Sequence, residues 1–408
     1  MGFDIARVRG LFPGLGDGWV HFDAQAGMRV PESVAATVAV AMRTAVSAPG
    51  GSYPSSQRGQ AITDGARAAI ADLVGANAAG VVLGAGRAVL LERLADALSA
   101  RLTLGTEVVV SRLDAHDNTA PWRRVARQRG AAVRWAEIDI ETCELPEWQY
   151  ADLIGEATKV VAVTAASGSL GTCPDVRALA ERAHAVGALV VVDATAIAPF
   201  APLDIDALGA DVLVVSSAEW GGPPLAALAF RDPALLDALP SYAADPGVRG
   251  PSRLELGNHQ YPMLAGLVAS VEHLAALCHF DPAHSHHGAG GAARRERLLA
   301  SMAALASLQE GLHANLADSL RALPEVMVLG DGARRVPALS FTVTAVSAEA
   351  VLQRLADNGI CALRSQPDDG VFEALGVTEI GGAVQLSLGH YSTATEVDQL
   401  VRVVASFG

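Results

Sequence analysis

Two uninterrupted apolar runs, Val160-Val161-Ala162-Val163-Thr164 and Ala188-Leu189-Val190-Val191-Val192-Asp193, constrain this chain more than any other feature. A strand with one wet face alternates apolar and polar residues. A strand that is apolar at every position has both faces covered, as in parallel sheets wrapped by helices. Between the two runs, Val176 to Val186 has the rhythm of an amphipathic helix. Further helical patterns cover Val34 to Val46, Gln60 to Val74, Ala88 to Leu102 and about Pro121 to Gln128; strand patterns cover Gly80 to Gly84, Thr106 to Ser111, Asp211 to Ser216 and Ala226 to Phe230. The expectation is an α/β fold with a mostly parallel mixed sheet and right-handed crossovers. Ligands of such sheets bind at the carboxyl ends of the strands. That directs attention to Gly84 to Ala88, Asp114 to Asn118, Ser167 to Gly171, Asp193 to Ala196 and Ser216 to Gly222.

Beyond a His-, Gly- and Ala-rich stretch the pattern changes to a long helix (Glu296 to Leu323), a strand (Ala338 to Thr342), a helix (Glu349 to Asn358), a strand (Ala383 to Leu388) and a closing helix (Thr395 to Ala405). The division expected is an N-terminal segment 1–20, a large domain 21–277, a loop 278–295 and a smaller α+β domain 296–408. A net charge of −14 argues against nucleic acid or an anionic membrane surface as partner. No apolar run reaches membrane-spanning length, the start lacks the order of a signal peptide, and the four scattered cysteines form no CxxC pair, so a cytoplasmic protein with reduced thiols is expected.

The chain has a single lysine, Lys159, so 29 of its 30 basic residues are arginine. Whatever the origin of that bias, only one side-chain amine is able to form a Schiff base.

Several stretches, in order, resemble the class V aminotransferases, the fold-type-I pyridoxal-phosphate group that includes cysteine desulfurases. They are Ser111-Arg112-Leu113-Asp114 with Asn118 and Pro121-Trp122, Ser169-Leu170-Gly171-Thr172, Gly187 to Asp193, Asp204 to Asp211, Gly222-Pro223, Arg253 to Gly257 and His390-Tyr391-Ser392-Thr393. The resemblance implies a fold-type-I PLP-transferase-like architecture, and a homodimer in which Asn258 reaches the neighbouring subunit's pocket. It also places Glu219 where the family carries its Schiff-base lysine. A carboxylate forms no imine, and Lys159 sits at the amino-terminal start of its strand, the opposite edge from the site. The ring-stacking His falls at Ala115, the partners of the ring hydroxyl at Ala196 and Gly168, and the substrate-clamping Arg at Gln385. The loop after Arg364, where desulfurases carry a nucleophilic Cys, has none.

Three features remain. Asp193 stands where the family's Asp pairs with the ring nitrogen. Gly86 and Arg87 lie at a strand-to-helix turn with free N–H groups. Ser216, Ser217 and Asn258 are possible donors to a phosphate. Arg87 is a cation at a helix amino terminus and requires an anionic partner: a bound anion, Glu219 or Asp193. Glu219 has two readings, a carboxylate paired with Arg87 that fills a vacated cavity, or a general base with a pKa raised by burial. His116 is either a base or stacking group, or a half-exposed loop residue. The run from Cys278 to His287 has metal-ligand residue types but no ligand spacing, and reads as a loop without metal.

Three functions follow. The first is a repurposed or non-catalytic dimeric homologue with no covalent cofactor. The second is an enzyme holding pyridoxamine or pyridoxal phosphate non-covalently, with Glu219 or His116 as base on an amino-acid-like substrate. The third is cofactor-free acid–base chemistry on a small anionic ligand.

Overall fold

The computed structural model describes residues 3–407 apart from 244, 246, 279–290, 331, 333 and 367–369, and not the side chains of 291–293. The seven-stranded sheet contains β2 (Val81–Gly84), β3 (Glu107–Ser111), β4 (Ala132–Ala136), β5 (Thr158–Thr164), β6 (Leu189–Asp193), β7 (Val212–Ser216) and β8 (Ala226–Phe230), in the spatial order β2-β8-β7-β6-β5-β3-β4. The ladders from β7 through β6, β5 and β3 to β4 are parallel, and β8 alone runs against its neighbours.

The continuous apolar runs are explained by two separate cores. Val161, Val163, Val190 and Val192 face one side, with Ile70, Leu179 and Leu267. Val160, Ala162 and Val191 face the other, with Leu90, Leu94 and Trp122. Successive side chains of one strand thus enter opposite cores, and each buried Val contributes about 1.5–3 kcal/mol of hydrophobic stabilisation.

A second, antiparallel sheet has the order β12-β13-β10-β9, built from β9 (Val326–Val328), β10 (Ala338–Val343), β12 (Leu363–Arg364) and β13 (Val384–Ser387). The Ala348–Asp357 and Ala394–Val404 helices complete its core with Val351, Leu355 and Leu400. The N-terminal strand β1 (Val20–His21) pairs in parallel with β11 (Ile360–Cys361), and Phe22 is buried in that same core.

Most expected elements are present within a few residues of their bounds. The helix expected from about Pro121 begins five residues earlier, at His116, and runs to Arg129 with Pro121 inside it. A proline beyond the first turn removes one i→i−4 bond without ending the helix here. Strand β4 and the Tyr261–Ala275 helix carried no expectation. No described helix is long and apolar enough to cross a membrane.

Candidate functional site

A cleft of about 500 Å³ opens at the carboxyl edge of the large sheet, against β10, β12 and β13 of the second sheet. Each strand end singled out in the sequence supplies part of it: Arg87 after β2, Ala115 after β3, Ser167 to Ser169 after β5, Asp193, Thr195 and Ala196 after β6, and Glu219 after β7. The other wall comes from Leu363, Arg364, Gln385 and Ser387, with Gln25 from the segment after β1.

Asp193 is 2% exposed and both of its carboxylate oxygens are engaged. The Thr195 N–H donates to Oδ1 at 2.9 Å, and Arg87 Nη1 donates to Oδ2 at 3.3 Å. Arg87 turns its other nitrogen, Nη2, to Asp117 Oδ2 at 3.0 Å. The cation at the start of the Arg87–Ala97 helix therefore finds its anions in Asp193 and Asp117. The Asp193 charge is the main influence holding it protonated.

The expected pairing of Glu219 with Arg87 is corrected by this arrangement. Among the described residues no hydrogen bond or ion pair involves Glu219, and Arg87 acts on it through space. Burial pushes the Glu219 carboxyl up to about 7; the Arg87 charge holds it back and Asp193 adds to the rise. Glu219 lies in the short turn Ser217–Trp220 that closes β7.

Other expected site residues are placed less favourably. His116 is exposed at the first position of its helix, where it lines shallow surface pockets with Arg123 and Trp135 rather than the cleft. The Ser217 hydroxyl is buried and donates to the backbone carbonyl of Pro223, so it has no proton free for a phosphate. Ser216 is half-buried at the end of β7, and Asn258 is exposed outside this chain's own cleft, where a residue expected to reach a neighbouring subunit would lie. Gly86 caps the Arg87–Ala97 helix with no side-chain bond and open space around it. Lys159 stands at the start of β5, away from the cleft, with Nζ donating to the Glu156 carbonyl at 2.8 Å. His279 to His287 fall outside the described residues.

Three residues of the site were given no role in the sequence, and a fourth, Asp114, was named only in the motif that carries the resemblance. Asp117 had a local signal, lying beside His116 at the end of β3. Asp114 anchors the same turn: it accepts from Ser111 and from Asn118, and burial pushes it up to about 7. Thr195 lies two residues after Asp193, and its hydroxyl is buried with no hydrogen-bond partner. Gln25 had no local signal, because it reaches the cleft through the pairing of β1 with β11 and the bridge from Asp23 to Ser387 in β13. Its Nε2 donates to Gln385 Oε1 at 2.6 Å, while its own Oε1 is buried without a partner.

The class-V aminotransferase family model matches residues 20–400. The chain belongs to that family. It is 52% identical to an uncharacterized protein of Mycobacterium tuberculosis over the whole of both chains, and 29% identical to an aminotransferase-like protein of Gibberella zeae over 98% of this chain and 97% of the other. A cysteine desulfurase structure from Escherichia coli superposes with a TM-score of 0.83 at 25% identity, covering 99% of this chain and 98% of that one. An apo cysteine desulfurase from Thermococcus onnurineus gives 0.86 at 23% identity, covering 98% and 97%. The fold is therefore that of the fold-type-I pyridoxal-phosphate proteins.

The family's cofactor tests the site directly. A protonated ring nitrogen needs a carboxylate oxygen of Asp193. Here one oxygen holds the Arg87 guanidinium and the other the Thr195 N–H, so the residue already has its cation. With Asp193 paired to Arg87 and the Ser217 hydroxyl bonded to backbone, the residues in this arrangement do not fit pyridoxal phosphate held in the family's manner.

Proposed function

We propose that this chain is a class-V aminotransferase relative that has left Schiff-base chemistry, and that its cleft binds a small polar, carboxylate-bearing ligand reversibly in a cytoplasmic homodimer. The observation that carries this reading is the Arg87–Asp193 pair, a guanidinium where the family's chemistry requires a ring cation. The cleft of about 500 Å³ is lined by Thr195, Gln25 and Glu219, whose hydroxyl, Oε1 and carboxyl have no hydrogen-bond partner among the described residues. Buried polar atoms without partners are uncommon in folded proteins, and a ligand is one way to satisfy them. Among the described residues the Arg364 side chain, which lines the mouth, makes a single loose ion pair, 3.7 Å to the exposed Glu349, and it is the cation we assign to a bound carboxylate. The dimer is supported by Val40 and Met42, which are 60% and 67% exposed on the Glu32–Arg43 helix of the isolated chain.

A second reading, an enzyme with a non-covalently held pyridoxamine or pyridoxal phosphate, is favoured by Glu219 alone. A carboxyl titrating near neutrality is suited to exchange protons at this place.

The deciding experiment titrates the purified protein with pyridoxal phosphate and pyridoxamine phosphate, followed by borohydride reduction, alongside a calorimetric screen of small carboxylates. The proposal expects no saturable binding of either vitamer and no stable reduced adduct. It also expects a carboxylate that binds and is lost in Arg364→Ala. Saturable binding of pyridoxamine phosphate abolished by Asp193→Ala would instead establish the second reading.

A further inference from the structure

A second group of chemically active side chains lies outside the cleft, where β1 pairs with β11. The parallel register sets His21 opposite Cys361. One ligand atom from each of His21, Asp23 and Cys361 lies within 4.8 Å of the other two. Three details of this group point to a metal ion.

The first is the state of the imidazole. Arg29 Nη2 donates to His21 Nδ1 at 2.8 Å, so Nδ1 carries a lone pair and the ring proton is assigned to Nε2. The second is what Nε2 meets, namely the Asp17 carboxylate at 3.2 Å. A carboxylate behind the distal ring nitrogen is the usual support of a metal-ligating histidine, fixing its tautomer and orientation. The third is Asp23: its Oδ1 is buried with no hydrogen-bond partner and lies 3.6 Å from His21 Nδ1. Two ligands at ordinary zinc distances in tetrahedral geometry stand about 3.4 Å apart, so little movement is needed.

We infer that His21 Nδ1, Asp23 Oδ1 and Cys361 Sγ form a binding site for a zinc-class divalent cation, with Asp17 as the outer support of His21. The residue types match a borderline-soft ion, because a thiolate, an imidazole and a carboxylate are all zinc ligands while calcium and magnesium take oxygen. Arg29 is the cation beside these groups in the structure. It also donates to Asp23 Oδ2 at 2.8 Å, so it keeps that anchor when the ion takes over its contact with Nδ1. Binding releases the Cys361 proton to solvent, which leaves three ligands and an open fourth position for water. The ion cross-links the segment that leads to Gln25 with the strand that leads to Arg364, both of which line the same wall of the cleft.

The test uses the full chain, stripped with chelator and titrated with Zn²⁺ and with Co²⁺. One equivalent should bind, with a thiolate-to-cobalt charge-transfer band in the near ultraviolet and a higher melting temperature. Cys361→Ser should abolish the band. Asp17→Asn, at a side chain 46% exposed, should keep the band and weaken binding about 10- to 100-fold. Absence of one-equivalent saturable binding overturns the inference. So does a cobalt complex without the thiolate band, or a band that survives Cys361→Ser and disappears in Cys278→Ser.

Discussion

Arg87 Nη1 lies 3.3 Å from Asp193 Oδ2, joining the helix after β2 to the end of β6 through a carboxylate that is almost fully buried. Neither member is readily removed alone. An Asp without Arg87 is a buried charge held by one backbone N–H, which is the costly half of a broken ion pair.

Arg87→Ala is therefore expected to destabilise the protein by about 2–4 kcal/mol. Urea unfolding at neutral pH measures it. Arg87→Ala combined with Asp193→Asn should recover much of the loss, because the charge left without a partner is gone. A single variant with unchanged stability would show that the pair carries no weight.

Glu219 predicts a pH dependence of the opposite kind to a salt-bridged acid. Its pKa is raised from 4.5 to about 7 in the folded chain, so the folded state favours the protonated form. The stability it contributes is present below about pH 4.5 and is lost as pH rises toward 7. Glu219→Gln should match the wild type at pH 4 and exceed it at pH 8, by about 3 kcal/mol at most. Equal stability of the two at both pH values would contradict this account of the carboxyl.

Two stacked, buried histidines contribute on the acid side. Burial holds His273 down at about 3 and His390 at about 4, and the two rings stack with centroids 6.5 Å apart. The folded state keeps both neutral, so their stability is complete above the ordinary value of 6.5 and falls as pH drops from 6.5 toward 4. His273→Phe, which keeps the ring packing against Phe12, should make the loss of stability between pH 6.5 and 4 shallower by about one proton. An unchanged slope in denaturant titrations across that range refutes it.

Gly171 has φ +78°, and a Cβ there would overlap the carbonyl oxygens of Ala338 and Val336. Gly171→Ala combines a left-handed backbone with a clash against β10, and is expected to cost about 3 kcal/mol or more. It should also weaken any ligand of the cleft, because Val336 and Ala338 line it. Thermal unfolding and ligand titration of the same variant check both effects.

The large sheet was legible because its strands are covered on both faces and say so in continuous β-branched residues. The cleft was legible for the same reason, since chemistry collects at the ends of such strands and Arg87, Asp193 and Glu219 all lie there. Strand β4 was not, because it is the sheet's edge: Arg134 and Trp135 are half-exposed, and nothing in Ala132 to Ala136 repeats with the period of a buried strand. The start of the His116–Arg129 helix was hidden by Pro121, a residue more often found at a helix beginning than inside one. The choice of Arg87's partners turned on side-chain reach. Asp117 and Glu219 are both acids at strand ends, and only the folded geometry brings Asp117 to 3.0 Å while Glu219 stays apart. Gln25 was unreadable for a different reason, since its place depends on a pairing 340 residues away in the chain, between Val20 and Ile360.

That pairing has a consequence for how the protein is made. At a synthesis rate of roughly 5–20 residues per second, Val20 waits about 20–70 s before Ile360 exists to receive it. The large sheet, complete once Phe230 has emerged, can fold in the meantime. For that interval a nascent chain carries the Arg87–Asp193 floor without its mouth. A ribosome stalled before Ile360 therefore presents a folded sheet with an open cleft edge, the surface on which a chaperone or a protease would act.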